Sequence, residues 1–124
     1  MKKPFRPLWI AVLVLSLTLA CFRDPRPRPT LEFDPLELPA AQVGVAYEAT
    51  VTISQNVTPV YWIALADGAL PDGLTLEYNK NDNFAKIIGA PTSAGTFKFV
   101  VGAACLGTSV SGQTGQKEFV IEVK

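Results

Sequence analysis

Apolar and polar residues divide the chain into three parts, and the first is a short apolar run at the N-terminus. Leu8 to Ala20 contains thirteen uncharged, mostly apolar residues, and three basic residues precede it. A helix of that length reaches about 20 Å, whereas the hydrocarbon core of a bilayer is roughly 30 Å thick. We therefore predict a signal peptide over residues 1–20 and not a permanent membrane span.

The second part, residues 21–35, is rich in proline. Pro25, Pro27 and Pro29 alternate with Arg26 and Arg28. Proline fixes its own φ and biases the preceding residue towards extended geometry. We predict a polyproline-like tether that holds the following domain about 25 Å from a membrane. Its arginines could contact anionic headgroups; a disordered linker with no role beyond its length is the alternative.

The third part, residues 36–124, has the pattern of an all-β domain. From Val45 to Ser54, an apolar or aromatic residue occupies every second position and all but one of the residues between them are polar, which is typical of a strand with one buried face. Turn-forming residues separate the further apolar segments. We predict a single seven-stranded β-sandwich. Its other strands are expected at 36–38, 60–65, 74–78, 85–88, 95–105 and 117–123.

The two-residue period also predicts the core. Six large side chains should meet between the two sheets, with Trp62 as the central one. They are Tyr47, Val51, Trp62, Phe97, Phe99 and Ile121.

Composition limits the chemistry. The chain has no histidine, which excludes histidine-based catalytic triads and histidine-containing zinc sites. No activated nucleophile is suggested by the spacing of its serines and carboxylates. Removal of the signal peptide would leave eight basic and eleven acidic residues, without a basic stripe. We expect no enzymatic activity, no cofactor, no metal and no binding to nucleic acid.

The signal peptide ends in the residues LTLAC, in which the cysteine is Cys21. This run resembles the lipobox of bacterial lipoproteins. The resemblance implies that Cys21 becomes the lipidated N-terminus and that acyl chains hold the protein to a membrane. Phe22 follows where an inner-membrane retention signal has Asp, which favours the outer membrane or cell surface. Ordinary cleavage nearby, with Cys21 as a plain thiol, is the alternative.

Several turn motifs carry a second resemblance. They are LPA at 38–40, VGVAY at 43–47, LPDGLTL at 70–76, IGAPT at 88–92 and AGTF at 94–97, together with Trp62. In this order they resemble bacterial immunoglobulin-like domains of the cadherin-related (He_PIG) type. The resemblance covers residues 38–123. It implies that the sandwich is an immunoglobulin-like, cadherin-like Greek-key β-sandwich, which serves as a spacer or interaction module without a reaction.

The second cysteine of the chain, Cys105, has no partner in the chain if Cys21 is acylated. Its position in phase with Phe99 predicts a buried, inert thiol. An intermolecular disulfide, or a bond to an unlipidated Cys21, is the alternative.

The run Asn79 to Asn83 has a single carboxylate, so we predict a hairpin turn and not a calcium site.

Apolar residues at expected outward positions suggest an interface. If Val60, Trp62 and Ala64 point inward, the residues between them point outward. The predicted patch on one sheet is Tyr61, Ile63, Leu65, Val100 and Val120. Alternatively, charged neighbours or the tether cover these residues, or the register is shifted by one.

The sequence therefore predicts a membrane-anchored, non-enzymatic interaction or assembly module of the bacterial cell envelope, with a protein partner that it does not identify. The alternative is a surface adhesin that binds carbohydrate or matrix through the loop 106–115.

Overall fold

The computed structural model describes residues 27–108 and 111–124, which form seven strands. The predicted signal peptide and Cys21 lie outside the described residues. No helix in the described residues has the length and apolarity that crossing a bilayer requires. The strands are β1 (Glu32–Asp34), β2 (Tyr47–Ser54), β3 (Val60–Gly68), β4 (Leu74–Tyr78), β5 (Phe84–Gly89), β6 (Gly95–Cys105) and β7 (Thr114–Val123).

These strands form two sheets that face each other. One has four strands in the order β1-β2-β5-β4, and the other has three in the order β3-β6-β7. All paired strands are antiparallel. The predicted all-β, seven-stranded immunoglobulin-like sandwich is confirmed.

The core lies between the sheets. Val51 and Ile87 contribute from the larger sheet, and Phe99 and Ile121 from the smaller one, each almost fully buried. Each such side chain contributes about 1.5–3 kcal/mol when it leaves water. Of the six predicted core residues, Tyr47, Val51, Phe99 and Ile121 are buried, and Phe97 packs partly buried against them. The prediction fails for Trp62, which is 41% exposed.

A β-bulge in β3 explains this error. Val60 pairs with Cys105, but Trp62 already pairs with the next residue, Ala104, so Tyr61 is an extra residue without an opposite partner. One extra residue reverses the alternation of the side chains after it, here from Trp62 to Leu65, until the next register shift. Val60 therefore remains inward, whereas Trp62 turns outward.

The same bulge corrects two predicted interface residues. Ile63, expected on the outside, is 2% exposed and belongs to the core. Leu65, also expected outside, is partly buried and packs against the same core. Their partners on β6 are Ala103 and Val101, which also point inward.

The first strand lies elsewhere than predicted. It is β1, and not residues 36–38, so the sheet begins within the segment predicted as tether. Leu31 and Phe33 are buried, whereas Leu36 is 75% exposed. The short alternation of Leu31 and Phe33 with polar residues is enough for a strand of this length, although prolines flank it on both sides.

After β1 the chain crosses to the other sheet. The Asp34–Pro35 peptide bond is cis, and Ala41 then forms a parallel bridge with Val123 at the end of β7. Tyr47 fixes this crossing segment, because its hydroxyl donates a hydrogen bond to the Pro39 carbonyl at 2.8 Å. Burial raises the pKa of the Tyr47 hydroxyl, which keeps this donor protonated. The segment before β2 thus contacts both sheets.

Gln113 joins two other segments of the chain to the start of β7. It is the one polar residue among the described buried side chains, at 8% exposed. Its Nε2 donates to the carbonyls of Pro29, at 2.6 Å, and Gln55, at 3.0 Å. Its Oε1 accepts from the Val57 N–H at 2.7 Å. One side chain therefore satisfies backbone groups before β1 and in the β2–β3 connection.

We expect Gln113→Ala to lower the free energy of unfolding by about 2 kcal/mol or more, because several partly buried backbone groups lose their partner. Urea unfolding monitored by circular dichroism measures this change. The matched control is Gln116→Ala, at an exposed position on β7, for which a change within about 0.5 kcal/mol is expected. Equal effects of the two substitutions would show that Gln113 is not a structural link.

Candidate functional site

The candidate site is the outward surface of the three-stranded sheet, here called the outer face. Register places its side chains in rows that cross β3, β6 and β7. One row contains Trp62, Ala104 and Thr114, and the next contains Ala64, Gly102 and Gln116. The outer face is therefore built from small side chains at the end where Trp62 lies.

Trp62 lies directly over Gly102. A Cβ atom added to Gly102 would be 2.9 Å from Trp62 Cζ3 and 3.3 Å from Ala66 Cβ, so the ring occupies the space that a larger residue would need. An aromatic ring that covers a glycine on the neighbouring strand shields its backbone. The indole nevertheless remains 41% exposed, and the adjacent Tyr61 is 46% exposed. Tyr61 and Trp62 are here called the aromatic end of the outer face.

The other predicted patch residues lie further along the same face. Val100 is partly buried, and its register partners on either side are Asp67 and Glu118. Val120 is 37% exposed and pairs with Lys98. Charged side chains therefore border both valines. Of the five predicted residues, the structure leaves Tyr61, Val100 and Val120 outside the core, but it does not join them into one apolar patch.

Sequence reasoning missed Trp62 as a surface residue because no turn residue marks the bulge at Tyr61. One signal was present on the neighbouring strand. Gly102 and Ala104, which alternate at outward positions of β6, are too small to fill that face themselves. Two small residues opposite a tryptophan indicate space for an outward ring.

In the described part of the loop that the adhesin alternative would use, Leu106, Thr108 and Ser111 form hydrogen bonds within the chain. Thr58 donates its hydroxyl proton to the Leu106 carbonyl at 2.6 Å, and the Leu106 N–H donates to Pro59. Arg28 donates to Thr108 Oγ1 and to the Ser111 carbonyl, each at 3.2 Å. Several of its polar groups are thus already paired, and the last residues of the predicted loop belong to β7.

Cys105 is buried, as predicted from its phase. Burial raises the pKa of its thiol, and the positive charge of Arg28 opposes this shift. A thiol with a raised pKa carries little thiolate, which is the reactive form. The prediction of a hairpin turn at Asn79–Asn83 is also confirmed, because it joins the paired strands β4 and β5.

Among residues 27–108 and 111–124, no three His, Cys, Asp or Glu side chains come together as metal ligands would. No buried side-chain nitrogen or oxygen in this part lacks a hydrogen-bond partner.

Comparisons with known proteins identify the fold. No protein-family model and no curated protein sequence matches the chain. Five solved chains match its fold. The PapD-like domain 7 (ASH domain) of human CEP192 has a TM-score of 0.57 and 10% identity, over 81% of this chain and 91% of that one. A mutant SrpA adhesin from Streptococcus sanguinis has a TM-score of 0.51 and 14% identity, over 79% of this chain.

The chain spans 57% of the length of that adhesin structure. At these identities the similarity concerns the fold alone. The described chain is thus an immunoglobulin-like β-sandwich that structurally resembles PapD-like and adhesin domains.

The contact between Trp62 and Gly102 generates a test. In a Trp9→Phe background Trp62 is the only tryptophan, so its fluorescence reports its environment. We expect Gly102→Ala to lift the ring from the sheet, to shift its emission to longer wavelength and to increase quenching by acrylamide. Gly44→Ala is the control, because no atom lies within 4 Å of the added Cβ. It should leave the emission unchanged even though its positive φ costs about 1–2 kcal/mol; unchanged emission in Gly102→Ala would contradict the contact.

Proposed function

We propose that this protein is a non-enzymatic protein-binding module of the bacterial cell envelope, and that its partner docks on the aromatic end of the outer face. The turn motifs that resemble cadherin-related bacterial domains favour an interaction or spacer role. We also propose that the chain belongs to that family.

The observation that carries the proposal is the exposed indole of Trp62 on a floor of small residues. Tryptophan and tyrosine are enriched among the residues that contribute most to protein–protein binding. Ala64, Gly102 and Ala104 lie at the outward positions beside the ring, so a partner could reach one face of the indole without displacing long side chains. The chemistry that fits this end is an apolar pocket with polar groups around its rim.

Trp62→Ala should weaken capture of the partner by about thirtyfold or more, as expected for loss of a central aromatic contact. The experiment crosslinks the protein in intact cells, purifies it from solubilised membranes and quantifies each captured protein by mass spectrometry. A partner that uses the aromatic end should also be reduced by Tyr61→Ser.

The matched control is Val45→Ala. Val45 is 51% exposed and lies outside the strands, two residues before β2, which belongs to the other sheet. It should capture the same proteins as the unmodified chain. Equal recovery of every captured protein with Trp62→Ala would contradict docking at the aromatic end.

Carbohydrate binding remains the second candidate, because an exposed indole can also stack on the apolar face of a sugar ring. Trp62 pairs with Ala104, so it lies close to the loop that the adhesin prediction singled out. Glycan-array binding that persists in Trp62→Phe and disappears in Trp62→Ala would favour this candidate over a protein partner.

We also propose that the protein is exported and lipid-anchored through Cys21. The support is the apolar run of residues 8–20 and the lipobox-like LTLAC sequence. Several acyl chains, each stabilised by about 0.8 kcal/mol per buried CH₂ group, give a stable anchor. Phe22 favours the outer membrane or the cell surface.

Cys21→Ser should abolish metabolic labelling with an alkyne analogue of palmitate and release the protein from the membrane fraction. Cys105→Ala is the matched control, since it removes the other cysteine, which is buried. It should retain both the label and membrane association. Labelling that persists in Cys21→Ser would contradict the anchor.

A further inference from the structure

One edge of the three-stranded sheet is open. β7 pairs with β6 without interruption from Thr114 to Val123. On its other side, the described hydrogen bonds involve only its C-terminal end. There the Ala41 N–H donates to the Glu122 carbonyl at 2.8 Å, and the Lys124 N–H donates to the Ala41 carbonyl at 3.0 Å.

The direction of these bonds identifies the free backbone groups. In an antiparallel strand, successive residues direct their N–H and C=O groups alternately towards either neighbour. Because Glu122 faces away from β6, Gln116, Glu118 and Val120 face the same way. In the described part of the chain, no hydrogen bond pairs these backbone groups on that side.

A groove runs beside this edge. The crossing segment 36–40 stands away from β7 and leaves a space of about 410 Å³. Leu36 and Leu38 line one side, and Glu118, Val120 and Glu122 line the other. An unpaired strand edge is a template for another strand, and residues 116–121 offer about 20 Å of it.

The other sheet edges are less suitable. β1 has three residues and β4 has five. β3 is interrupted by register shifts at Tyr61 and at Ala66, and bulges are a common way to block edge pairing. β7 combines length with an unbroken register.

Charge and backbone hydrogen-bonding capacity indicate which kind of strand can pair with the β7 edge. A second copy that pairs through its own β7, centred on Val120, would place Glu118 opposite Glu122, and like charges in that position are destabilising. The chain's own tether has Pro25, Pro27 and Pro29 at alternate positions, so it lacks the N–H groups that a strand needs. A foreign strand with basic residues two positions either side of an apolar one would complement Glu118, Val120 and Glu122. Its backbone pairing ends opposite residue 121, because Ala41 already bonds the Glu122 carbonyl, so the basic residue at that end contacts Glu122 through the side chains alone.

We propose that the β7 edge binds an extended segment of a partner protein with the pattern basic-x-apolar-x-basic, by adding it as a fourth strand to the sheet. This inference goes beyond docking at the aromatic end and does not require it. The main-chain hydrogen bonds hold the segment, while the two glutamates and Val120 select its side chains.

The probe is the synthetic peptide TKTVTKT, added to the isotope-labelled full chain in detergent micelles. We expect amide chemical-shift changes centred on residues 116–121 and slower hydrogen exchange at the Val120 amide. The same peptide methylated on the backbone nitrogens that face β7 keeps its charges but cannot pair, and it should not bind. Binding of the methylated peptide, shift changes elsewhere, or no change at millimolar peptide would overturn the proposal.

Two variants make the test independent of folding defects. Val120→Pro removes one edge N–H without touching the bonds to β6, so binding should be lost. The double variant Glu118→Lys, Glu122→Lys should prefer the peptide TETVTET over TKTVTKT by about tenfold. Preference for TKTVTKT in that variant, or self-association through β7 of the unmodified chain, would overturn the assignment of the partner.

Trp62→Ala separates this inference from the proposed function. It removes the aromatic end but leaves the β7 edge intact, so peptide binding should be unchanged. Loss of peptide binding in Trp62→Ala would overturn strand addition at β7, whatever the result for the captured partner.

Discussion

The extra residue in β3 determines which side chains this small sandwich presents to solvent. A pleated strand sends successive side chains to opposite faces, so an inserted residue exchanges inside and outside for all that follow. Tyr61 is that residue, and it lets Val60 and Ile63 both enter the core. Without it, the large indole of Trp62 would have to fit between the sheets, and the outer face would lose its aromatic end.

Gln113 and Tyr47 each stabilise one end of the N-terminal segment by a side-chain hydrogen bond to its backbone. Both use one polar group to hold irregular backbone that no strand pairs: Gln113 holds Pro29, and Tyr47 holds Pro39. Between these points the chain pairs with β2 and turns at Pro35, and two residues after Pro39 it reaches the end of β7 through Ala41. Because the segment bonds to β7 only at the C-terminal end of that strand, the edge of its central part stays accessible.

The sequence predicted the number of strands, the two-sheet architecture and most of the core, because a two-residue period with strong turns is a local signal. β4 and β6 were placed with the bounds that the structure shows. The site was harder to predict, because a bulge depends on how two strands align and cannot be recognised from the sequence of one strand alone. Phase reasoning was therefore right for Val60, wrong for Trp62, Ile63 and Leu65, and right again for Cys105 on the neighbouring strand.

The hydrogen bonds of Arg28 determine how an N-terminal anchor would orient the domain. Arg28 binds Thr108 and Ser111, so the chain enters the fold at the end where β6 passes into β7. Arg28 lies seven positions after Cys21, and that stretch spans at most about 25 Å. A lipid on Cys21 would thus turn this end, with Trp62 near it, towards the bilayer. Ligands of the aromatic end would then be molecules within one tether's reach of the cell's own membrane, whereas the Pro71 and Pro91 turns would point outward.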